Sequence, residues 1–158
     1  MSKSEKFLLF SLVDNESKAE SVRKIRNQCR NYMTRNNNYI SKTNQKKWFH
    51  SSIGAFETFL VGAIEDGVIY IEVGYGLIKI EPNIFYLTAA LVPTYRGMGH
   101  GNEIFNFLIK RCKSINPGKK ILLEVKSDNF NAIKLYRKLG FITINEDEFL
   151  TVMELKGK

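Results

Sequence analysis

Arg96-Gly97-Met98-Gly99-His100-Gly101 is the stretch of this chain whose residue types and spacing carry the clearest chemistry. It follows an apolar run, Ile84 to Val92, that reads as a buried strand, and precedes Ile104-Phe105-Asn106-Phe107-Leu108-Ile109, which has helical character. A glycine-rich turn between a strand and a helix suits a phosphate. Glycine lets the backbone come close to a ligand, and the first turn of a helix offers unpaired N–H groups at the positive end of its dipole. Arg96 adds a fixed positive charge at the mouth. A plain tight turn has the same composition, so the spacing must discriminate. No Gly-x-x-x-x-Gly-Lys-Ser/Thr string occurs, which excludes a P-loop. Gly97-x-Gly99-x-Gly101 also misses the dinucleotide fingerprint, whose third glycine comes three residues after the second.

What remains is Arg-x-x-Gly-x-Gly, preceded by Val92-Pro93-Thr94-Tyr95. This string resembles motif A of the GNAT superfamily of acyl-CoA-dependent N-acyltransferases, where the loop holds the coenzyme A diphosphate. A second segment extends the resemblance. Leu122-Leu123-Glu124-Val125-Lys126 leads through Asn129 and Ala132 to Leu135-Tyr136 and then Gly140-Phe141. It looks like motif B of the same superfamily: a strand, Asn-x-x-Ala-x-x-Leu-Tyr, and Gly-Phe. The two motifs are ordered and separated by one helix and a Pro117-Gly118 turn. The resemblance is close over residues 57 to 145 and looser over the first fifty. It implies an α/β fold: a mixed, twisted sheet of about seven strands flanked by about four helices, split where acetyl-CoA inserts.

It also implies roles. An amine must attack the thioester carbonyl of acetyl-CoA, which calls for a base, an oxyanion donor and an acid for the leaving thiolate. The thioester is already activated, so the reaction requires neither a metal nor a covalent nucleophile. Tyr136 is the implied acid: a phenol of pKa about 10 protonates a thiolate of pKa about 8.5 with a modest uphill step. On its own, a tyrosine here reads more often as half-buried packing; the surrounding Leu135-Tyr136-x-x-x-Gly140-Phe141 string reverses that. Glu124 is the implied base, directly or through water, at the position where several relatives carry one. The strand before motif A, where other relatives hold their base, reads Tyr86-Leu87-Thr88-Ala89-Ala90 and has no carboxylate. Leu91 and Val92 are expected to pair with the pantetheine arm, with an oxyanion-donating N–H near Leu91 in a bulged strand. Arg96, Gly97, Met98, Gly99, His100 and Gly101 are expected to cradle the diphosphate, and Asn129 to bond the pantetheine while capping its helix.

The acceptor falls to the first fifty residues. Arg23, Arg26, Asn27 and Arg30, followed by Gln45 and Trp48, resemble the N-terminal segment of superfamily members that acetylate nucleotide-linked aminosugars. Arginines suit an anionic nucleotide, and Trp48 a base or sugar ring. Two readings stay open for Arg23, Arg26 and Arg30: an anion site, or a solvated helix face. The rival functions are a protein N-terminal or lysine acetyltransferase, an aminoacyl-tRNA acetyltransferase and a non-catalytic CoA-binding regulator.

The elements that must position these residues follow from periodicity. Lys6 to Val13 reads as a first strand. A helix over Lys18 to Thr34, capped by Asp14 or Ser17, carries Val22, Ile25, Cys29 and Met33 on one face. Ser41 caps a short helix over Lys42 to Ser51, with Gln45 as its capping-box partner. Strands are expected over Thr58 to Ile64, Val68 to Ile80 and Ile84 to Val92, with Gly74 and Gly76 marking a bulge or close approach. A strand over Lys119 to Lys126, a helix over Asn129 to Leu139 and two closing strands complete the order βααβββαβαββ.

At 158 residues, with 44% hydrophobic and 12% aromatic content, the chain is long and apolar enough for one folded domain over 1–158. No apolar run approaches a membrane span, and the polar start followed by Phe7 to Val13 lacks a signal-peptide pattern, so the cytoplasm is the expected compartment. Cys29 and Cys112 fall in separate expected helices and read as reduced thiols; no metal site is expected. The net charge of +8 is spread through helices without a block of like charge, favouring attraction of a polyanionic coenzyme over nucleic-acid binding. Acetyl-CoA and a small-molecule amine, for instance a sugar nucleotide, are the expected partners of a monomer or homodimer.

Overall fold

The computed structural model describes residues 6–34 and 38–157. Among them the elements run β1 (Lys6–Leu12), α1 (Glu16–Gln28), α2 (Lys42–Ser51), β2 (Phe56–Glu65), β3 (Ile69–Ile80), β4 (Ile84–Leu91), α3 (His100–Ile115), β5 (Lys120–Lys126), α4 (Phe130–Leu139), β6 (Phe141–Glu146) and β7 (Leu150–Leu155). This is the expected βααβββαβαββ order. The strands form one seven-stranded sheet in the order β1-β2-β3-β4-β5-β7-β6. Every pairing is antiparallel except β4 with β5.

That parallel pairing opens the sheet. It covers only Ile84–Leu87 against Lys120–Leu123. Beyond it, β4 stays paired to β3 as far as Leu91, and β5 stays paired to β7 as far as Lys126. Each strand keeps its outer neighbour and loses its inner one, so a split runs between Thr88–Leu91 and Glu124–Lys126. Period-two alternation sends side chains from the two sides of the sheet into separate cores. Phe85, Leu87, Ile121, Leu123 and Val125 pack with Ile104, Phe105 and Leu108 of α3 and Ile133 of α4. Leu60, Tyr75 and Ala90 pack with Val22 and Ile25 of α1 and with its C-cap, Cys29, on the other face.

Local details depart from expectation at the N-terminal helices. The cap of α1 is Asn15, whose side chain accepts from Lys18 N–H at 2.8 Å; Asp14 instead pairs with the Lys18 ammonium at 3.2 Å. The helix ends at Gln28 and not at Thr34. Cys29 N–H is shared between the Ile25 and Arg26 carbonyls, tightening the last turn, and a single 3-10 turn, Arg30–Tyr32, follows. Ser41 does cap α2, accepting from Asn44 N–H at 3.1 Å. Gln45 is no capping-box partner: it is buried and donates to Ala19 O at 2.9 Å, joining α2 to α1.

Gly74 and Gly76 combine the two features foreseen for them. The register between β2 and β3 shifts at Val61/Gly62, where Val73 is the extra residue. A Cβ at Gly74 would collide with the Ala90 carbonyl, and one at Gly76 would press on Leu108 at 3.0 Å. The bulge expected in the strand of Leu91 lies here instead, since β3 and β4 pair without a shift from Gly74–Leu91 to Ile80–Phe85.

Candidate active site

The register determines which backbone groups face the split. Val92 N–H donates to Val73 O at 2.9 Å and Glu81 N–H to Ile84 O at 3.0 Å, marking the hydrogen-bonded pairs of β3 and β4. Alternation turns the N–H and C=O of the intervening residues, including Ala89 and Leu91, to the other side, toward β5. Past Leu87 that side is the split. An extended chain entering it meets a ready strand edge.

The Leu91 carbonyl is already held. Arg96 Nε–H donates to it at 2.9 Å, and the Cys29 thiol donates to it at 3.3 Å. Arg96 is half-buried, so part of its guanidinium serves the strand end rather than only the loop mouth. The chain then turns at Gly97 and Gly99, with φ of +77° and +83°, conformations that glycine adopts freely. Gly99 is the N-cap of α3 and provides no side-chain cap, which leaves the amides of the first turn directed outward. Gly101 is glycine for a different reason: a Cβ there would meet Leu135 of α4 at 3.2 Å. Met98 is exposed, while the His100 ring is buried, its Nδ1 3.3 Å from Glu103 Oε1 and its centroid 5.9 Å from that of Tyr95. The Tyr95 hydroxyl donates to Glu65 and pins the loop to the β2–β3 hairpin, a bond that raises the phenol pKa. Open helix amides, two left-handed glycines and an adjacent strand edge together fit a diphosphate carrying an amide-rich arm.

Glu124 and Tyr136 approach from opposite faces. Leu123 and Val125 point into the core beside α3, so Glu124 between them lies on the face of α1, half-buried. Tyr136 packs against the core beside α3, edge-on to Phe105 at 4.9 Å and to Phe141 at 6.2 Å. Burial pushes its phenol up to about 12, making it a weaker acid than its sequence position suggested. Asn129 caps α4, accepting from Ala132 N–H at 3.2 Å.

The residues expected around the acceptor are not gathered at the split. Asn27 clamps the chain at Ile40, donating to its carbonyl at 3.0 Å and accepting from its amide at 2.8 Å. Arg23 is bound to Glu20 at 2.6 Å and to the Tyr39 hydroxyl at 3.0 Å. Trp48 packs on Phe56 at 5.8 Å, and Phe56 pairs with Lys79, far down the sheet from Leu91. Arg26 is buried near Tyr75 and Cys29, whose ionisations it influences. Arg30 is exposed just after α1. Tyr75, missed by sequence reading, lies on the face of α1 next to Ala90, its hydroxyl toward Met33 Sδ at 3.6 Å. Its position between Gly74 and Gly76 was the available signal.

Among the described residues no group of three or more His, Cys, Asp and Glu could hold a metal ion, and no helix is long and apolar enough to cross a membrane.

The sequence profile of the acetyltransferase (GNAT) family matches residues 20–141. An N-alpha-acetyltransferase of Sulfurisphaera tokodaii is 32% identical over 75 residues, a stretch covering 45% of this chain and 45% of that protein. The chain thus matches less than half of that relative's length. A domain from Methanocaldococcus jannaschii superposes with a TM-score of 0.82 at 15% identity, covering 95% of this chain and 98% of the other. A spermidine N-acetyltransferase from Vibrio cholerae, solved in complex with CoA and spermine, gives a TM-score of 0.75 at 16% identity, covering 93% of this chain and 92% of the other.

Proposed function

Because this chain belongs to the acetyltransferase (GNAT) family, we propose that it transfers the acetyl group of acetyl-CoA to a primary amine by direct attack. The observation that carries this reading is the split between β4 and β5, with Glu124 on one face and Tyr136 on the other. The amine enters on the face of α1, and the coenzyme on the face of α3 and α4.

Acetyl-CoA supplies an acetyl group already activated as a thioester. The loop from Gly97 to Gly101 holds its diphosphate with the outward amides of α3, and the edge of β4 at Ala89 and Leu91 aligns the pantetheine arm. Glu124, directly or through one water, takes a proton from the ammonium so that the nitrogen lone pair can attack the carbonyl carbon. A backbone N–H near Leu91 donates to the oxygen as negative charge builds on it. As the new C–N bond forms, the nitrogen gives up its second proton to solvent; as the C–S bond breaks, Tyr136 gives its proton to the leaving sulfur and regains one from solvent.

For the acceptor, the 32% identical relative favours a peptide α-amine. The aminosugar-nucleotide reading loses Asn27 and Trp48, which hold Ile40 and Phe56. Thiol release from acetyl-CoA, measured against peptides, polyamines, aminosugar nucleotides and charged tRNA, tests both levels. Release with a peptide alone supports the α-amine. Release with a nucleotide aminosugar alone replaces it. No release with any amine, despite acetyl-CoA binding, favours a CoA-binding regulator.

A further inference from the structure

Cys29 has no part in the reaction proposed above, yet its thiol is fully buried at the junction of α1, the tip of β4 and the glycine loop. Burial raises its pKa and disfavours the thiolate, so a nucleophilic role does not suit it. Its partner is the informative fact. The Leu91 carbonyl accepts from Cys29 Sγ–H at 3.3 Å and from Arg96 Nε–H at 2.9 Å. Leu91 N–H and C=O face the same way, into the split, because Val92 is the residue bonded to β3. An uncapped carbonyl there would confront the electron-rich thioester and diphosphate oxygens, and it would leave the last strand residue free to rotate.

We infer that Cys29 is a positioning residue for the acyl-CoA site: with Arg96 it caps the Leu91 carbonyl, so that the last residue of the split-facing edge of β4 presents its N–H as a donor and no free acceptor beside it. The inference rests on the acetyl-CoA reading of the split. It has a second consequence. Cys29 is the C-cap of α1, directly before the turn bearing Arg30, and Arg96 opens the glycine loop, so acceptor-side helix and coenzyme loop meet on a single oxygen atom. Ordering the loop around coenzyme therefore also steadies the end of α1.

The test is calorimetric binding of acetyl-CoA to the full chain and to Cys29→Ala and Cys29→Ser, with melting curves for all three. Loss of one weak hydrogen bond corresponds to affinity lower by about three- to tenfold in Cys29→Ala, and the serine hydroxyl, which keeps a donor, should restore it to within about twofold. Packing alone would not give that rescue, because serine fills the site no better than alanine. Cys29→Ala binding acetyl-CoA as tightly as the unmodified protein overturns the inference. So does Cys29→Ser binding no better than Cys29→Ala while both remain folded. Failure of the unmodified protein to bind acetyl-CoA overturns the reading of the split, and this inference with it.

Discussion

At the scale of single residues, Tyr136 and Glu124 make separable predictions. Tyr136→Phe removes a proton donor and little volume, so turnover should fall by about ten- to a thousandfold with acetyl-CoA affinity nearly unchanged. A chemistry-limited assay showing full turnover would reduce Tyr136 to packing. Its folded pKa of about 12 exceeds the ordinary tyrosine value near 10. The folded state therefore holds this proton more tightly, and the associated stability is complete below about pH 10 and lost as pH rises toward about 12. In activity the acid stays protonated over the whole neutral and mildly alkaline range. A difference titration of tyrosinate absorbance between the native chain and Tyr136→Phe should accordingly show no ionisation of this residue below about pH 10. Glu124→Gln should lose most activity near neutrality and regain it at high pH, where free amine becomes abundant without a base. A variant with the native rate and pH profile would remove Glu124 as the base.

At the scale of elements, the three glycines of the loop are not equivalent. Gly99 has φ of +83° and open space around the missing Cβ, so Gly99→Val strains the turn and obstructs a ligand without disturbing the core. It should abolish acetyl-CoA binding while the fold persists. A Cβ at Gly101 would come within 3.2 Å of Leu135 of α4, so Gly101→Val pushes the helices apart and lowers the melting temperature along with binding. Calorimetry paired with thermal melts separates the two; equal melting temperatures in both variants would refute the distinction. Asn27 makes the opposite case. Its two bonds to Ile40 hold the chain after α1, so Asn27→Ala should cost about 1–3 kcal/mol of stability and leave acceptor KM nearly unchanged. A large rise in KM in a variant of native stability would return Asn27 to the acceptor site.

At the scale of the whole molecule, the net charge of +8 meets a polyanionic coenzyme. Acetyl-CoA binding should weaken steadily with added salt, and an anionic acceptor held by Arg26 and Arg30 should weaken with it, whereas an acceptor lacking anionic groups should not. Salt titrations of the two binding steps, made separately, read this out. An acceptor step insensitive to salt would remove the nucleotide reading.

The element order, the seven strands and the place of the split were legible in the sequence, because buried alternation, glycine spacing and the paired motifs are local in chain order. The glycine-rich turn between β4 and α3 was legible for the same reason. Gly97 and Gly99 are conformational requirements written two residues apart. What the sequence could not resolve is what long side chains do once the sheet has formed. Arg23, Asn27, Gln45 and Trp48 have the composition of a binding surface, yet all are engaged inside the fold, since a buried donor or ring takes its partner from whatever element packs against it. The assignment of Glu124 and Tyr136 to opposite faces, the capping of Leu91 by Cys29 from 62 positions away and by Arg96, and the rise in the Tyr136 pKa belong to tertiary structure alone. Each depends on strand register and on burial by distant elements, quantities that local sequence patterns do not encode.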